Sequence, residues 1–391
     1  MWSDQIVNSP NNTNLLDMIF LISGSPVPAM LDMVARAKKL GFTPMLIILD
    51  RGESDLVIDD SSFDFEVLKI KVNYSGVGLS RLLSMPHIRR VLRRLVKNRL
   101  SPQGYVMTST FDLLFLAVSL RFWSSFSIRH QVRDLHRLQL GNGFLPRLFR
   151  YLERLLMMFV DKLIVSSQGF IDGYYRHIYS GDTILLENVP PVDIWEAFQR
   201  KNFSKNELVI GFIGIIRYKK SLFSLIEAVE NLRLKGRNIQ VLFAGGAMGD
   251  DLKDLQSKIT INDGFTFSGP YQYSRDIKDL YNKIDLIYSV YDEKDLNCQI
   301  AMPNKFYESI LSGCPILVAS NTYVGGQVES LGIGKAVSIL KENELKTTLE
   351  DVFIENSWFQ KAKENLSSKN IDEYSKKYET AINDSVVLKC E

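Results

Sequence analysis

The feature that most constrains this chain is a rhythm. Short apolar runs of strand length alternate with longer runs of helical spacing, and the alternation is played through twice. Leu15–Ile22 reads as a buried strand, Ala29–Leu40 carries helical periodicity that Gly41 stops, and Pro44–Leu49 is the next strand. A strand, helix, strand unit of this kind closes as parallel strands joined by a right-handed crossover. Its repetition therefore dictates a parallel sheet with helices on its faces. Further strands are read at Phe65–Val72, Tyr105–Thr108, Ile128–Val132, Lys162–Ser166 and Thr183–Leu186, with helices at Ile88–Arg99, Leu113–Phe122 and Leu145–Phe159.

The rhythm breaks at Asn188-Val189-Pro190-Pro191, because consecutive prolines cannot enter a sheet interior. It resumes at Leu208–Gly214. Strands follow at Ile239–Ala244, Phe265–Ser268, Leu286–Val290, Ile316–Ser320 and Ala336–Ile339, and helices at Leu222–Lys235, Asp276–Ile284 and Lys305–Leu311. At 391 residues the chain exceeds what one core usually organises. The reading is an α/β protein with a first domain at 1–190, a linker at 191–206, a second domain at 207–355 and a polar helical segment at 356–391. In that last segment Trp358, Phe359, Tyr374, Tyr378 and Ile382 stand among lysines, the pattern of an amphipathic element that needs a second surface.

Composition excludes several classes. The first apolar run is too short to span a membrane, follows polar Asn11, Asn12 and Asn14, and does not read as a secretory leader. Three cysteines, Cys298, Cys314 and Cys390, without Cys-x-x-Cys spacing, argue against a disulfide framework or a zinc site and for a reducing compartment. A cytoplasmic location is therefore expected. The net charge of +2 conceals an asymmetry: residues 80–160 hold 14 Lys and Arg against 3 Asp and Glu. Such a one-sided distribution expects a negatively charged partner surface on one domain.

Doubly wound sheets bind ligands beyond the carboxyl ends of their strands, so the turns after strands are the places to look. After Leu208–Gly214 come Arg217, Lys219 and Lys220, which suit phosphate oxygens but equally suit a solvated basic turn. After Ile239–Ala244 come Gly245 and Gly246, a close approach or simply a tight turn. The most specific segment is Met302-Pro303-Asn304-Lys305-Phe306-Tyr307-Glu308, followed by Gly313 and Pro315. It reads as a short helix whose N-terminus offers unpaired N–H groups and a positive dipole end to an anion. Glu308 is placed to accept ribose hydroxyls there. The alternative is a surface pair with Lys305, worth only about 0.3 kcal/mol.

Taken together, "MPNKFYESILSGCPILVAS", "GGQVESLGIGKAV", "VIGFIGIIRYKKSLFSLIEA", "VLFAGG" and "FSGPYQYSRDIKDLYNKIDL" resemble the second domain of the retaining GT-B glycosyltransferases of glycosyltransferase family 4. The type meant is that of bacterial capsule, O-antigen and exopolysaccharide synthesis. "HQVRDL", "DKLIVSS" and "ILLENVP" resemble landmarks of its first domain. The resemblance implies a GT-B architecture, two Rossmann-like domains facing across a cleft, with the chain end crossing back to the first. It implies a nucleoside-diphosphate sugar donor on the second domain and a glycan or lipid-linked acceptor. Arg217 and Lys220 would hold the diphosphate, with Lys219 the lesser candidate. Glu308 would hold the ribose, and the turn after Gly269 would border the base. Gly24, Gly214, Gly245, Pro303, Asn304 and Lys305 complete the expected donor set. Two departures are visible: Ile215 stands where many relatives have arginine, and Ile300 where many have a glutamate eight positions before the ribose-binding one. The sugar contact of that glutamate would then fall to Asn297, Gln299 or a backbone N–H.

The resemblance implies transfer with retention, in which Arg217, Lys220 and the helix end at Asn304 stabilise charge on the leaving phosphate. No two aspartates stand two residues apart, so no metal clamp of the Asp-x-Asp kind, and no metal cofactor, is expected. Asp134, after Ile128–Val132, is a candidate to orient or deprotonate the acceptor hydroxyl, or else a cap for the next segment. His136 beside it reads as structural or solvated. Glu308→Ala and Arg217→Ala are each expected to remove most of the activity without unfolding the chain. Two readings from other classes are a nucleotide-sugar epimerase of the same architecture and a non-catalytic sugar-binding module. The basic residues of 81–99, with the aromatics and arginines of 121–151, suit an anionic membrane surface or a solvated face; no nucleic-acid motif accompanies them. A peripheral position at the inner face of the cell membrane is the corresponding expectation.

Overall fold

A computed structural model describes residues 15–24, 28–50, 64–72, 79–195, 198, 207–246, 253, 255, 257, 264–369 and 371–388. The chain divides into two compact units, 1–187 with 377–391, and 188–376.

The first unit holds a seven-stranded parallel sheet of order β3-β2-β1-β4-β5-β6-β7. Its strands are β1 (Leu16–Ser23), β2 (Pro44–Asp50), β3 (Glu66–Lys71), β4 (Leu100–Thr108), β5 (Ser127–Val132), β6 (Lys162–Val165) and β7 (Asp182–Leu185). β1 and β2 are buried along nearly their whole length, the mark of a strand covered on both faces. β4 begins five residues earlier than the sequence suggests. Ser101-Pro102-Gln103-Gly104 looks like a turn, but it is an irregular pairing with β1 whose register shifts between Leu16 and Met18. A Cβ on Gly104 would lie 2.6 Å from the Asp17 carbonyl oxygen, so only glycine fits that approach.

The second unit holds a six-stranded parallel sheet of order β10-β9-β8-β11-β12-β13. The strands are β8 (Leu208–Ile213), β9 (Ile239–Ala244), β10 (Phe265–Phe267), β11 (Leu286–Ser289), β12 (Ile316–Ala319) and β13 (Gly334–Val337). The chain winds outward from β8 to β10, then returns to start again at β11, beside β8. The reversal between β8 and β11 opens a crevice at the carboxyl ends of those two strands. In the first sheet the corresponding reversal lies between β1 and β4.

Two domain boundaries differ from expectation. Val192–Trp195 is not linker but a 3₁₀ turn of the second unit, held by Trp195, which is buried edge-to-face on Tyr281 with ring centroids 5.1 Å apart. Residues 196–197 and 199–206 of the expected linker lie outside the described residues. At the other end, helix Trp358–Ser367 stays with the second unit. Phe359 is part of its core, and Trp358 packs on that core and donates from Nε1 to the Thr348 carbonyl at 3.1 Å. The return to the first unit begins at Lys377, inside helix Ile371–Val386.

The apolar residues of that final stretch explain why it belongs there. Ile382 and Val386 are part of the first unit's core, and the Tyr378 hydroxyl donates to Asp32 at 3.0 Å. Where the helix ends, the Arg129 guanidinium donates to the carbonyls of Ser385 and Val387, which the helix itself leaves unpaired. Arg129 lies 3.8 Å over the Tyr105 ring, and the Tyr105 hydroxyl donates to the Val386 carbonyl at 3.3 Å.

Candidate functional site

In the second unit, β8 and β9 each lead directly to a glycine, β10 reaches one two residues on, and the strand ends interlock. Gly214, after β8, donates to the Ala244 carbonyl at 2.8 Å; Gly245, after β9, donates to the Gly269 carbonyl at 2.8 Å. All three glycines have positive φ: 146° at Gly214, 144° at Gly245 and 74° at Gly269. At Gly245 the requirement is absolute, because a Cβ there would sit 1.8 Å from the Gly214 oxygen. The result is a rim of bare backbone that a bulky ligand can approach.

Beyond Gly214 the chain turns through Tyr218, a non-glycine residue at φ 64°, into helix Lys219–Leu234. Tyr218 precedes the helix but makes no side-chain cap. Left-handed backbone is costly for a bulky residue. The Tyr218 side chain is fixed on both sides, with its ring 5.1 Å from that of Tyr291, just beyond β11, and its hydroxyl 3.3 Å from Cys298 Sγ. Burial pushes the Cys298 thiol up to about 11. This aromatic bridge spans the switch point. The Arg217 guanidinium lies 4.8 Å over the Tyr218 ring and is exposed. Lys219 and Lys220 are exposed too, Lys219 with its ammonium 5.4 Å from the Phe223 ring. The helix begins three residues earlier than the sequence suggests, which puts both lysines in its first turn. Cations there oppose the helix dipole, an arrangement that an anion would relieve.

The helix expected after Met302 runs Asn304–Ser312, with Pro303 as its N-cap and Gly313, at φ 64°, closing it. Pro303 supplies no side-chain cap. Lys305 lies toward Gly214, its Cε 3.9 Å from where a Cβ on that glycine would be. Glu308 does pair with Lys305, at 2.5 Å, but the pair is not on the surface: the side chains are 0% and 5% exposed. Glu308 Oε2 accepts from the Tyr281 hydroxyl and from Lys305, and Oε1 accepts from Asn304 Nδ2 at 3.1 Å. Burial, followed by the nearby Glu308 charge, holds Tyr281 well above the usual phenol range and raises Tyr271 and Tyr273 as well. Glu308 therefore works as the anchor of a buried network made with Tyr281, Lys305 and Asn304.

The sugar-contact candidates sit on helix Leu296–Ile300, which Asp295 caps by accepting from Asn297 and Cys298 N–H. The side-chain amide of Gln299 is turned back to the Glu293 carbonyl at 2.9 Å. Asn297 and Ile300 are half-buried on the same short helix.

Two candidates lie in the first unit. Gly24 follows β1 at its switch point, has φ 83° and donates to the Leu49 carbonyl at 3.0 Å. Asp134 follows β5 and is exposed. The cap of the next helix, Arg137–Leu140, is His136 instead: its Nδ1 accepts from Leu138 N–H at 3.2 Å, and its own N–H donates to Gln139 Oε1. The N-cap position of that helix is thus filled by His136.

Sequence reasoning missed the tyrosines. Tyr218, Tyr281 and Tyr291 organise the switch point and the Glu308 network, and no motif marks them. The one signal was their density around the turns, with Tyr271, Tyr273 and Tyr281 in eleven residues.

Residues 193–370 match the family model described as glycosyl transferases group 1. The chain is 26% identical over 216 residues to the succinoglycan biosynthesis protein ExoL of Rhizobium meliloti, an alignment covering 52% of this chain and 53% of that protein. It thus spans about half the length of this curated relative. Among solved structures, Anabaena Alr3699/HepE in complex with UDP and glucose superposes with a TM-score of 0.69 at 15% identity, over 95% of this chain and 98% of that one. A UDP-N-acetylglucosamine 2-epimerase does so with a TM-score of 0.61 at 12% identity, over 95% of each. The fold is the two-domain α/β fold of the GT-B type.

Proposed function

We propose that this chain is a glycosyltransferase that moves a sugar from a nucleoside-diphosphate sugar to a hydroxyl of a glycan or lipid-linked glycan, with retention, in surface polysaccharide synthesis. The observation that carries the reading is the placement of Arg217, Lys219 and Lys220. They crowd an uncapped helix end beside the glycine rim, at the strand reversal where this fold class takes its ligands. The match of residues 193–370 to glycosyl transferases group 1 supports the same assignment, and the likeness to a succinoglycan biosynthesis protein supports the pathway class.

In this reading Arg217 and Lys220 bind the diphosphate, Lys219 flanks it, and the exposed backbone at Gly214, Gly245 and Gly269 lets the nucleotide lie close to the sheet. The helix end at Pro303 and Asn304 stabilises the charge that grows on the leaving phosphate. Lys305, held in place by Glu308, reinforces it from the side of Gly214. Asp134 serves the acceptor hydroxyl. The transfer runs without a metal clamp, for which the sequence supplies no Asp-x-Asp pair.

The test is a melting-temperature screen with UDP, GDP and ADP and their sugars, followed by turnover with an acceptor glycan and determination of the product anomer. Stabilisation by one nucleoside diphosphate series, with free sugars inert, is expected. Turnover should survive chelator treatment. Stabilisation by free sugars alone would replace the reading with a sugar-binding module. The epimerase likeness supports a second reading: conversion of a nucleotide sugar to its epimer with no acceptor present would establish it instead.

A further inference from the structure

The basic helix singled out in the sequence does not offer its apolar side to anything outside. In helix Leu79–Arg99 the residues Ile88, Leu92, Leu95 and Val96 are buried in the first unit. A neighbouring helix does the opposite. Phe144–Met157 presents Phe144, Leu148, Tyr151, Leu152, Leu155 and the following Met158 on one exposed stripe, spaced at three and four residues. Phe144 is 78% exposed and Met158 77%. A surface helix normally turns this side inward.

The stripe is neither frayed nor misplaced, because the other side of the helix is fastened. Glu153 is buried and accepts from Gln139 Nε2 at 2.8 Å, from the Tyr175 hydroxyl at 3.2 Å and from the Tyr174 hydroxyl. The Arg150 guanidinium donates to the carbonyls of Gln139 and Gly141 at 3.0 and 2.7 Å. Phe149 packs on Phe111 with ring centroids 4.3 Å apart. No rotation of the helix buries the stripe without breaking these contacts.

The apolar surface continues beyond the helix. Exposed Phe159 is 6.0 Å from exposed Phe122, which is 6.3 Å from half-exposed Trp123. The guanidiniums of Arg89 and Arg93 lie 4.4 and 5.0 Å over the Trp123 ring. Along the helix itself Arg147 and Arg154 are exposed beside the stripe. Aromatic and aliphatic side chains rimmed by arginine match the boundary of an anionic bilayer, where rings sit at headgroup depth and cations meet lipid phosphate.

We propose that the face formed by helix Phe144–Met157, Phe159, Phe122 and Trp123 docks on an anionic lipid bilayer, lying in its interface without crossing it. The proposal stands on the first unit alone and is independent of the donor-site reading. It is tested by co-sedimentation of the full chain with phosphatidylcholine vesicles and with vesicles containing phosphatidylglycerol. Binding is expected to the second kind, to weaken with added salt and to shift tryptophan emission to the blue. Replacing Leu148, Leu152 and Leu155 by Gln should abolish binding while leaving the melting temperature in place, since all three are exposed. Arg147→Gln with Arg154→Gln should weaken partitioning about 30-fold. Equal partitioning to both kinds of vesicle, or none to either, overturns the proposal. So does self-association that the leucine variant abolishes while vesicle binding stays intact, which would assign the face to a second copy of the chain.

Discussion

Glu308→Ala is the substitution for which the structure changes the expectation most. On sequence grounds the residue is a donor ligand whose loss spares the fold. In the structure its carboxylate is fully buried and anchors Lys305, Tyr281 and Asn304. Removing it strands a lysine side chain that is 5% exposed and takes the acceptor from a buried phenol. Breaking a buried ion pair on one side costs about 3–5 kcal/mol, a large share of the roughly 5–15 kcal/mol that holds a domain together. Lys305→Met should cost a comparable amount, because Glu308 then keeps its hydrogen bonds from Tyr281 and Asn304 but loses that of Lys305 together with its counter-charge. The double variant Lys305→Met/Glu308→Ala should fall short of the sum by about 1–3 kcal/mol, the coupling typical of contacting groups. Urea unfolding of the four chains, followed by circular dichroism, measures this cycle. Additivity within about 0.5 kcal/mol would show that the two groups do not share a buried network, and the argument would fail. Activity of Glu308 variants must then be normalised to the folded fraction before any catalytic role is read from it.

Arg217→Ala should behave differently: the side chain is exposed, so the melting temperature stays put while nucleoside-diphosphate affinity drops about tenfold to hundredfold in titration calorimetry; an unchanged affinity would remove it from the donor site. Gly245→Ala should destabilise by about 3 kcal/mol or more, since its Cβ would overlap the Gly214 carbonyl at a φ of 144°, whereas Gly246→Ala, with open space at its Cβ, should lie within about 0.5 kcal/mol of the parent; equal melting temperatures would contradict the strand-end geometry. His130, buried with its Nδ1 2.8 Å from Thr108 Oγ1, is pushed by burial from 6.5 down to about 4. The unfolded chain takes up that proton first, so this group's contribution of about 3 kcal/mol is present above pH 6.5 and is lost as pH falls toward 4; a His130→Gln chain with the same acid-unfolding profile would refute it.

The parallel sheets were legible because strands buried on both faces leave continuous apolar runs, as in Phe20–Ile22 and Leu46–Leu49, and because helix ends carry their own punctuation, as at Gly41 and Gly313. What escaped was set by distant partners. Nothing local in Ser101-Pro102-Gln103-Gly104 announces that the Asp17 backbone will lie against it. The pairing of Lys305 with Glu308 was readable from their three-residue spacing, but whether it sits in solvent or under a tyrosine depends on where helix Tyr273–Tyr281 packs. That difference decides the chemistry: in water the pair contributes a few tenths of a kcal/mol, and buried it becomes a structural anchor.

The same asymmetry governs the charged half of the chain. Sequence periodicity identifies an amphipathic helix but not which of its sides the domain will use. For Leu79–Arg99 the apolar side faces the core, and Arg90, Arg93, Arg94 and Lys97 lie outside. For Phe144–Met157 a single buried glutamate, solvated by Gln139, Tyr174 and Tyr175, turns the helix the other way and leaves leucines and aromatics facing out. Burying a carboxylate is costly, and burial does raise the Glu153 pKa despite its hydrogen bonds. A polar residue at that position that also kept Arg150 on its carbonyls would preserve the orientation. An apolar one would leave only Arg150 and the Phe149–Phe111 contact of these ties to oppose rolling the stripe inward. The exposed stripe is therefore a specified feature of the fold, maintained by a polar anchor against the hydrophobic effect.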